Sequence, residues 1–420
     1  MEANVRFDHH LLAVEAEHTV HCMLELEAPA APDAERAPLQ IALVVDRSGS
    51  MSGPKIAAAR SCAAFLASRL APTDQLALVA FDDEVELVAP LAPVDPADLA
   101  IRIANIGTGG RTNLSGGWLK GIEEVGRATD DGTQRVLLLT DGQANVGITR
   151  RHQLVQIAAA GRGHAGTTTI GFGEGFDEDL LGAIAEASGA NTYFAETPED
   201  APAIFAAEFA GLASLVAQNV SVEIRPTDDV QVLGVLNEYP TVEVPGGLQA
   251  NLGDAYGEEK RRVVFELHIA QLAALGPAKV AEVILRYVSV GADTAAHEIT
   301  IPVVINLVSS DEAAAAEIDT EVTEEIWLLE AAKARRDAIE AADRGDADAT
   351  RAALQRTADE LRLHAPSATR GPELATEAEA LEAHARSLDD DDPRLWRKRL
   401  HNEEFHLKRN RRRPPSPGDR

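Results

Sequence analysis

The sequence predicts an α/β protein in which a doubly wound, mostly parallel sheet is inserted in a β-sandwich and followed by a C-terminal helical region. Three observations carry that prediction. Between residues 39 and 212, short runs that are apolar on both faces, such as IALVV at 41–45 and RVLLL at 135–139, alternate with Ala-rich stretches of three- and four-residue apolar spacing. A parallel sheet covered by helices on both sides demands this pattern. The flanking segment 3–28 shows in part, and 213–308 shows more fully, the period-two alternation of half-buried strands. After Ser309 the composition shifts to Ala, Glu and Arg at helical spacing.

In chain order, LLAV at 11–14 and VHCMLEL at 20–26 read as strands, ended by a Pro/Ala-rich break at 28–38. This segment is too small to fold alone, and 213–308 holds the only other unattached β material, so the economical arrangement puts both in one sandwich around the α/β domain. Within that domain the strands fall at 40–45, 75–81, 135–140, 167–172 and 191–194, and the helices at 54–70, 114–128, 150–161, 177–187 and 199–211. VSVEI, VVFELHI, KVAEVILRYVSV and ITIPVVINLV then read as antiparallel strands. Three helices over 324–342, 349–365 and 372–388 form a bundle or pack on the sandwich. The acidic run Asp389 to Asp392 follows, then a mixed-charge helix (PRLWRKRLHNEEFHLKR) and a basic, Pro-bearing tail of disordered composition. The expected divisions are 1–37, 38–212, 213–309, 310–393 and 394–420.

The 420 residues carry 68 acidic against 39 basic side chains, a net charge of -29. Such a surface repels nucleic acid and anionic membranes. The exception is 394–420, with ten basic and three acidic residues. Cys22 and Cys62 are too few for a disulfide framework or a structural zinc site. The opening MEANVRFDHH has no basic start with an apolar run behind it, and no stretch of 18 apolar residues occurs. The expectation is a soluble, cytoplasmic protein.

Directly after the first α/β strand, IALVVDRSGSM sets Asp46, Ser48 and Ser50 at alternate positions on a loop leading into a helix. RVLLLTDGQANVG delivers Asp141 at the same kind of strand end, with Gly142 behind it. Between them the Gly-rich TGGRTNLSGG offers Thr112 just before another helix. Ligands of open α/β sheets bind outside the carboxyl ends of the strands. Two carboxylates and three hydroxyls should therefore converge there. All five are hard oxygens, which favours Mg²⁺, with Mn²⁺ or Ca²⁺ as substitutes, over zinc or copper. Hydroxyls coordinate without neutralising the ion, so its charge stays available to an incoming acidic group.

DRSGS, the TGGRTN loop and LLTDGQAN resemble the DxSxS, threonine and aspartate loops of the von Willebrand factor A domain, in the family's order and over roughly 39–212. The resemblance implies a metal-ion-dependent adhesion site formed by Asp46, Ser48, Ser50, Thr112 and Asp141, whose ion bridges to a Glu or Asp of a protein ligand. It also implies that Asp141 and one of Asp46 or Thr112 act through water or change shell on binding. The surrounding layout is similar to prokaryotic proteins and, more distantly, to inter-alpha-trypsin inhibitor heavy chains.

The competing chemistries fit worse. GSMSGPK fails the phosphate-loop spacing, and GFGEGF at 171–176 lacks the dinucleotide spacing, reading as a sheet-edge loop placed to rim the metal site. Aspartyl-phosphate chemistry would want an acid where Ser48 stands. No Ser-His-Asp set is visible, and His9, His10, His18 and His21 lie in the N-terminal strands. Trp118 reads as core, and Trp327 and Trp396 as helix-packing anchors. The expected function is metal-dependent capture of a protein partner's carboxylate, without catalysis, in an intracellular assembly. The alternatives are an accessory subunit of an AAA+ ATPase machine for remodelling or metal insertion, and a metal-dependent phosphohydrolase.

Overall fold

The computed structural model describes residues 1–31, 36–128, 132–162, 165–291 and 294–409. The chain opens with β1 (Glu2–Phe7), β2 (Leu11–Ala13) and β3 (His18–Glu27). The α/β domain follows as β4 (Leu39–Asp46), α1 (Pro54–Arg69), β5 (Gln75–Phe81), β6 (Val85–Pro93), α2 (Pro96–Ala104), α3 (Leu114–Val125), β7 (Thr133–Thr140), α4 (Arg151–Ala160), β8 (Gly166–Phe172), α5 (Glu178–Ser188), β9 (Thr192–Ala195) and α6 (Ala201–Ala213). Next come β10 (Leu215–Pro226), β11 (Val230–Val235), β12 (Thr241–Val244), β13 (Gly247–Tyr256), β14 (Lys260–Ile269), β15 (Gly276–Ser289) and β16 (Ala296–Val308). The last elements are α7 (Ser310–Ala314), α8 (Thr320–Asp343), α9 (Ala347–His364), α10 (Gly371–Ser387) and α11 (Pro393–Leu407).

The α/β sheet runs β6-β5-β4-β7-β8-β9, all parallel except β6, which returns antiparallel beside β5. All eight residues of β4 are buried because both its faces are covered. Ile41, Leu43 and Val45 enter one core with residues of α1, α2 and α6, while Ala42 and Val44 enter the other with α3, α4 and α5. The chain builds outward from β4 through β5 and β6, then restarts at β7 and builds the other way. The connections leaving β4 and β7 therefore diverge, and between them opens the crevice where such sheets bind ligands.

The sandwich pairs a four-stranded sheet, β1-β3-β14-β11, with a six-stranded one, β12-β13-β10-β15-β16-β2. β3 lies in register with β14 from Glu27 opposite Lys260 to His18 opposite Ile269, so the α/β domain is an insertion between strands of one sheet. Alternation along β3 sends Cys22, Leu24 and Leu26 into the sandwich core and Met23 to the other face, against Val322 and Leu329 of α8. The pairing departs from the expected antiparallel pattern at β2, which runs parallel to β16. The chain crosses between sheets on either side of β2, so its direction is set by that crossing and not by a hairpin.

The amino ends of the α/β strands sit on the sandwich. Arg135, buried near the start of β7, pairs with Asp254 of β13, and Asn191 Nδ2 donates to the Tyr256 hydroxyl at 3.2 Å. At the same seam Gly253 (φ +81°) meets Gly189, whose carbonyl oxygen would lie 2.5 Å from a Cβ added to Gly253. The carboxyl ends of β4 and β7 face away from this seam, about 20 Å along the strands at 3.3 Å per residue.

The helical region has its own core, with Leu328, Leu354, Leu374, Leu381 and Trp396 among its buried members. The basic helix, α11, is not the solvated element its charge suggests. Arg397 donates to Glu178 at 2.5 Å and to Asp179 at 2.9 Å, Lys398 Nζ donates to the Phe176 carbonyl at 2.8 Å, and Arg399 donates to Glu196 at 2.8 Å. Acidic residues around α5 and β9 supply the complement, while Trp396 on the same helix anchors in the bundle. The acidic run serves this helix: Asp392 accepts from its Arg394 N–H at 2.8 Å, and Asp391 accepts from Arg399 at 2.9 Å. The basic tail from 410 onward lies outside the described residues. Among the described residues no helix is long and apolar enough to cross a membrane.

Candidate metal centre

Asp46 ends β4 at the switch point and is fully buried. Its Oδ1 accepts the Ser48 N–H at 2.8 Å and its Oδ2 accepts the Thr140 hydroxyl at 2.5 Å. The loop beyond it makes one tight turn at Gly49–Met51, anchored by the buried Met51. Ser48 Oγ lies 3.2 Å from Ser50 Oγ, and the Ser50 hydroxyl donates to Asp141 Oδ1 at 2.7 Å. The first loop and the loop that closes the end of β7 thus meet directly.

Thr112 reaches the same place from a third loop. That loop is laced to the first by Gly109 N–H donating to the Arg47 carbonyl at 2.9 Å and Gly49 N–H to the Gly110 carbonyl at 3.2 Å. Gly110 sits at φ +36°, and a Cβ there would lie 1.6 Å from Asp83 Oδ1, so a side chain would have to displace that carboxylate at a backbone angle L-residues avoid. Asn145 joins the second and third loops: its Oδ1 accepts the Thr112 N–H at 3.0 Å, and its own N–H donates to the Thr112 carbonyl at 3.2 Å. A Cβ added to Gly142 would stand 2.9 Å from Thr112 Oγ1 and 3.6 Å from Asp46 Oδ2, so these groups share one small space. All five residues singled out from the sequence are therefore brought together.

Two buried carboxylates balance a dication, and three hydroxyls can turn their lone pairs inward, so the donors suit a hard, oxygen-seeking cation. Burial pushes the Asp46 carboxyl above its ordinary range, with Asp141 adding to the rise and the hydrogen bonds from Thr140 and Ser48 opposing it. A positive charge at this point would relieve both causes.

Sequence reasoning missed two residues here. Thr140 holds the second oxygen of Asp46, and its Oγ1 also accepts the Gly142 N–H at 3.1 Å; the signal was a hydroxyl residue directly before the aspartate in LLTDG. Lys55 donates to Asp141 Oδ2 at 2.5 Å, and its signal was a cation in the first turn of a helix. The GFGEGF loop backs the site: a Cβ on Gly175 would lie 2.6 Å from the Asp141 carbonyl oxygen, and Gly171 leaves room for the Phe176 ring. Trp118 is core as expected, its indole N–H donating to Thr167 at 3.0 Å.

A two-way sheet with acid and hydroxyl loops at its switch point defines a class of α/β domain. Residues 40–207 match the family model of the von Willebrand factor type A domain, and the chain contains such a domain. An uncharacterized protein of Synechocystis sp. is 27% identical over 263 residues, 60% of this chain and 62% of that one. Inter-alpha-trypsin inhibitor heavy chain H3 of Rattus norvegicus is 30% identical over 159 residues, 35% of this chain and 18% of the heavy chain. This chain thus spans less than two thirds of either relative. The solved structure of a von Willebrand factor type A protein from Catenulispora acidiphila superposes with a TM-score of 0.74, covering 97% of this chain and 96% of that one at 18% identity. That likeness speaks for the fold and extends beyond the α/β domain to the sandwich and helices.

Proposed function

We propose that the α/β domain binds a divalent cation, Mg²⁺ in the first instance with Mn²⁺ or Ca²⁺ as substitutes, through Asp46, Ser48, Ser50, Thr112 and Asp141. We further propose that it captures an Asp or Glu side chain of a protein partner there, without catalysis and within an intracellular assembly. Domains of this family commonly serve as metal-dependent protein-interaction modules. The observation that carries the reading is the convergence of three loops of oxygen donors at the switch point, at the carboxyl ends of β4 and β7 and opposite the sandwich. When bound, the cation supplies positive charge for the partner's carboxylate to meet. The chain's own part is orientation: Thr140 and the Ser48 N–H fix Asp46, Ser50 steadies Asp141, and Asn145 holds the Thr112 backbone.

Isothermal titration with Mg²⁺ tests this. Wild type should bind one ion, and Asp46→Ala and Asp141→Ala should each lose it while keeping the wild-type circular dichroism spectrum. Undiminished affinity in both variants refutes the assignment. Mg²⁺-dependent turnover of an aryl phosphate by the purified protein, lost in Asp46→Asn, would replace the non-catalytic reading with the phosphohydrolase one.

A further inference from the structure

Each carboxylate oxygen of the site has a protein donor. Asp46 takes the Ser48 N–H and the Thr140 hydroxyl, and Asp141 takes the Ser50 hydroxyl and the Lys55 ammonium. These donors are not equivalent towards a cation. A serine hydroxyl can rotate its hydrogen away and offer a lone pair, whereas an ammonium has three donors and no acceptor. Lys55 can only compete with a cation for Asp141.

Its placement is unusual on other grounds. Lys55 lies in the first turn of α1, where the helix dipole disfavours positive charge. Gly53, at the N-cap, contributes no side-chain cap, and no acidic residue occupies that turn. The energetics of the helix therefore give no reason for a cation here; the Asp141 carboxylate does, its side chain wholly buried. The lysine side chain is 30% exposed, so its head group has a way out to water. On its inner side it passes Gly173, where an added Cβ would lie 3.5 Å from Lys55 Cε.

We propose that Lys55 is a tethered counter-cation that competes with the divalent ion for Asp141 and thereby sets the affinity of the site. This rests on the metal-binding reading above. With Lys55 paired, the two buried carboxylates carry one net negative charge; with it displaced they carry two, and the dication balances them. Ion binding then includes a swing of the ammonium away from Asp141 Oδ2, and part of the attraction between ion and carboxylate is offset by the broken pair. The site holds its ion more loosely than its five oxygen donors alone would.

The test compares wild type, Lys55→Met and Lys55→Arg by isothermal titration with Mg²⁺, alongside thermal unfolding in EDTA and in saturating Mg²⁺. Lys55→Met keeps the length of the side chain and removes the competitor. It should bind Mg²⁺ at least about tenfold more tightly, equivalent to about 1.4 kcal/mol. It should also melt lower than wild type in EDTA, having lost the partner of a buried carboxylate, and gain more from Mg²⁺. Lys55→Arg retains the charge and should stay within about threefold of wild type, whereas the tighter binding of Lys55→Met is what a merely structural role for the lysine would not predict. If wild type binds Mg²⁺ and Lys55→Met binds it equally or more weakly, the competition is refuted and the metal site stands. If neither protein binds Mg²⁺, both readings fall together.

Discussion

Thr140→Val removes one hydroxyl from beneath the candidate metal centre and keeps the shape of the side chain. In the structure that hydroxyl donates to Asp46 Oδ2 at 2.5 Å and accepts the Gly142 N–H at 3.1 Å, with Thr140 itself fully buried. A hydrogen bond to an ionised group contributes about 1.5–3 kcal/mol, and a donor left without its partner adds about 1 kcal/mol or more where water reaches it poorly. Gly142 is partly exposed, so its share is the smaller one. The expected cost is about 2–3 kcal/mol, felt first where β4 and β7 end. For the cation the loss concerns orientation: residues that hold a metal ligand typically cost 10–100-fold in affinity when removed, roughly 1.4–2.8 kcal/mol. Hydrogen exchange on peptides covering 39–46 and 133–140 reads the first effect, and titration with Mg²⁺ reads the second. Thr140→Ser keeps the hydroxyl and should recover most of both. If the valine variant exchanges like wild type and binds Mg²⁺ within twofold of it, the bond from Thr140 does not organise Asp46.

Two further outcomes are expected. Gly253→Ala puts a methyl group 2.5 Å from the Gly189 carbonyl oxygen at a backbone angle that L-residues avoid, so the seam between sandwich and α/β domain should loosen; limited proteolysis should cut between residues 213 and 215 faster than in wild type, and an unchanged cleavage pattern would argue against a tight seam. The second concerns acid. Burial holds His401 of α11 below its ordinary value of 6.5, among Glu404 on its own helix, Lys408 just past that helix's end, and Glu178 and Asp179 on α5. The released imidazole takes up a proton near 6.5 while the docked one stays neutral to lower pH. Docking is therefore fully stable above about pH 6.5 and weakens as pH falls towards the folded value, by at most about 1.4 kcal/mol per pH unit. His401→Gln should flatten the acid limb of the melting temperature measured from pH 7 to 5.5; parallel profiles for the two proteins would exclude His401 as its source.

How much of this was legible in the sequence follows from how many faces each element buries. β4 and β7 feed both cores, so their apolar runs stand out and their limits fall within two residues of those expected. β6 was not readable: VELVAPLAP carries two prolines and lies half exposed on the sheet edge. β1 and β12 also lie on edges, and Thr241–Val244 buries none of its residues, so no alternation marks it. The five oxygen donors were legible because spacing along each loop reports backbone geometry at a strand end. Thr140 and Lys55 were not, because each acts on a donor contributed from another part of the chain and leaves no local pattern. The same limit explains α11, whose charges look like solvent-facing ones until the acids of α5 and β9 are set opposite them.

The pairing of β3 with β14 has a consequence for the making of the chain. On a ribosome, Lys260 emerges about 230 residues after its partner Glu27, an interval of roughly 10–50 seconds at 5–20 residues per second. The α/β domain lies wholly within that interval and can complete its own cores meanwhile. Until then β3 carries the apolar side chains of both its faces, Cys22, Leu24 and Leu26 on one and Met23 on the other, with only β1 beside it. A nascent hairpin of this kind is the part of the molecule most in need of shielding during synthesis.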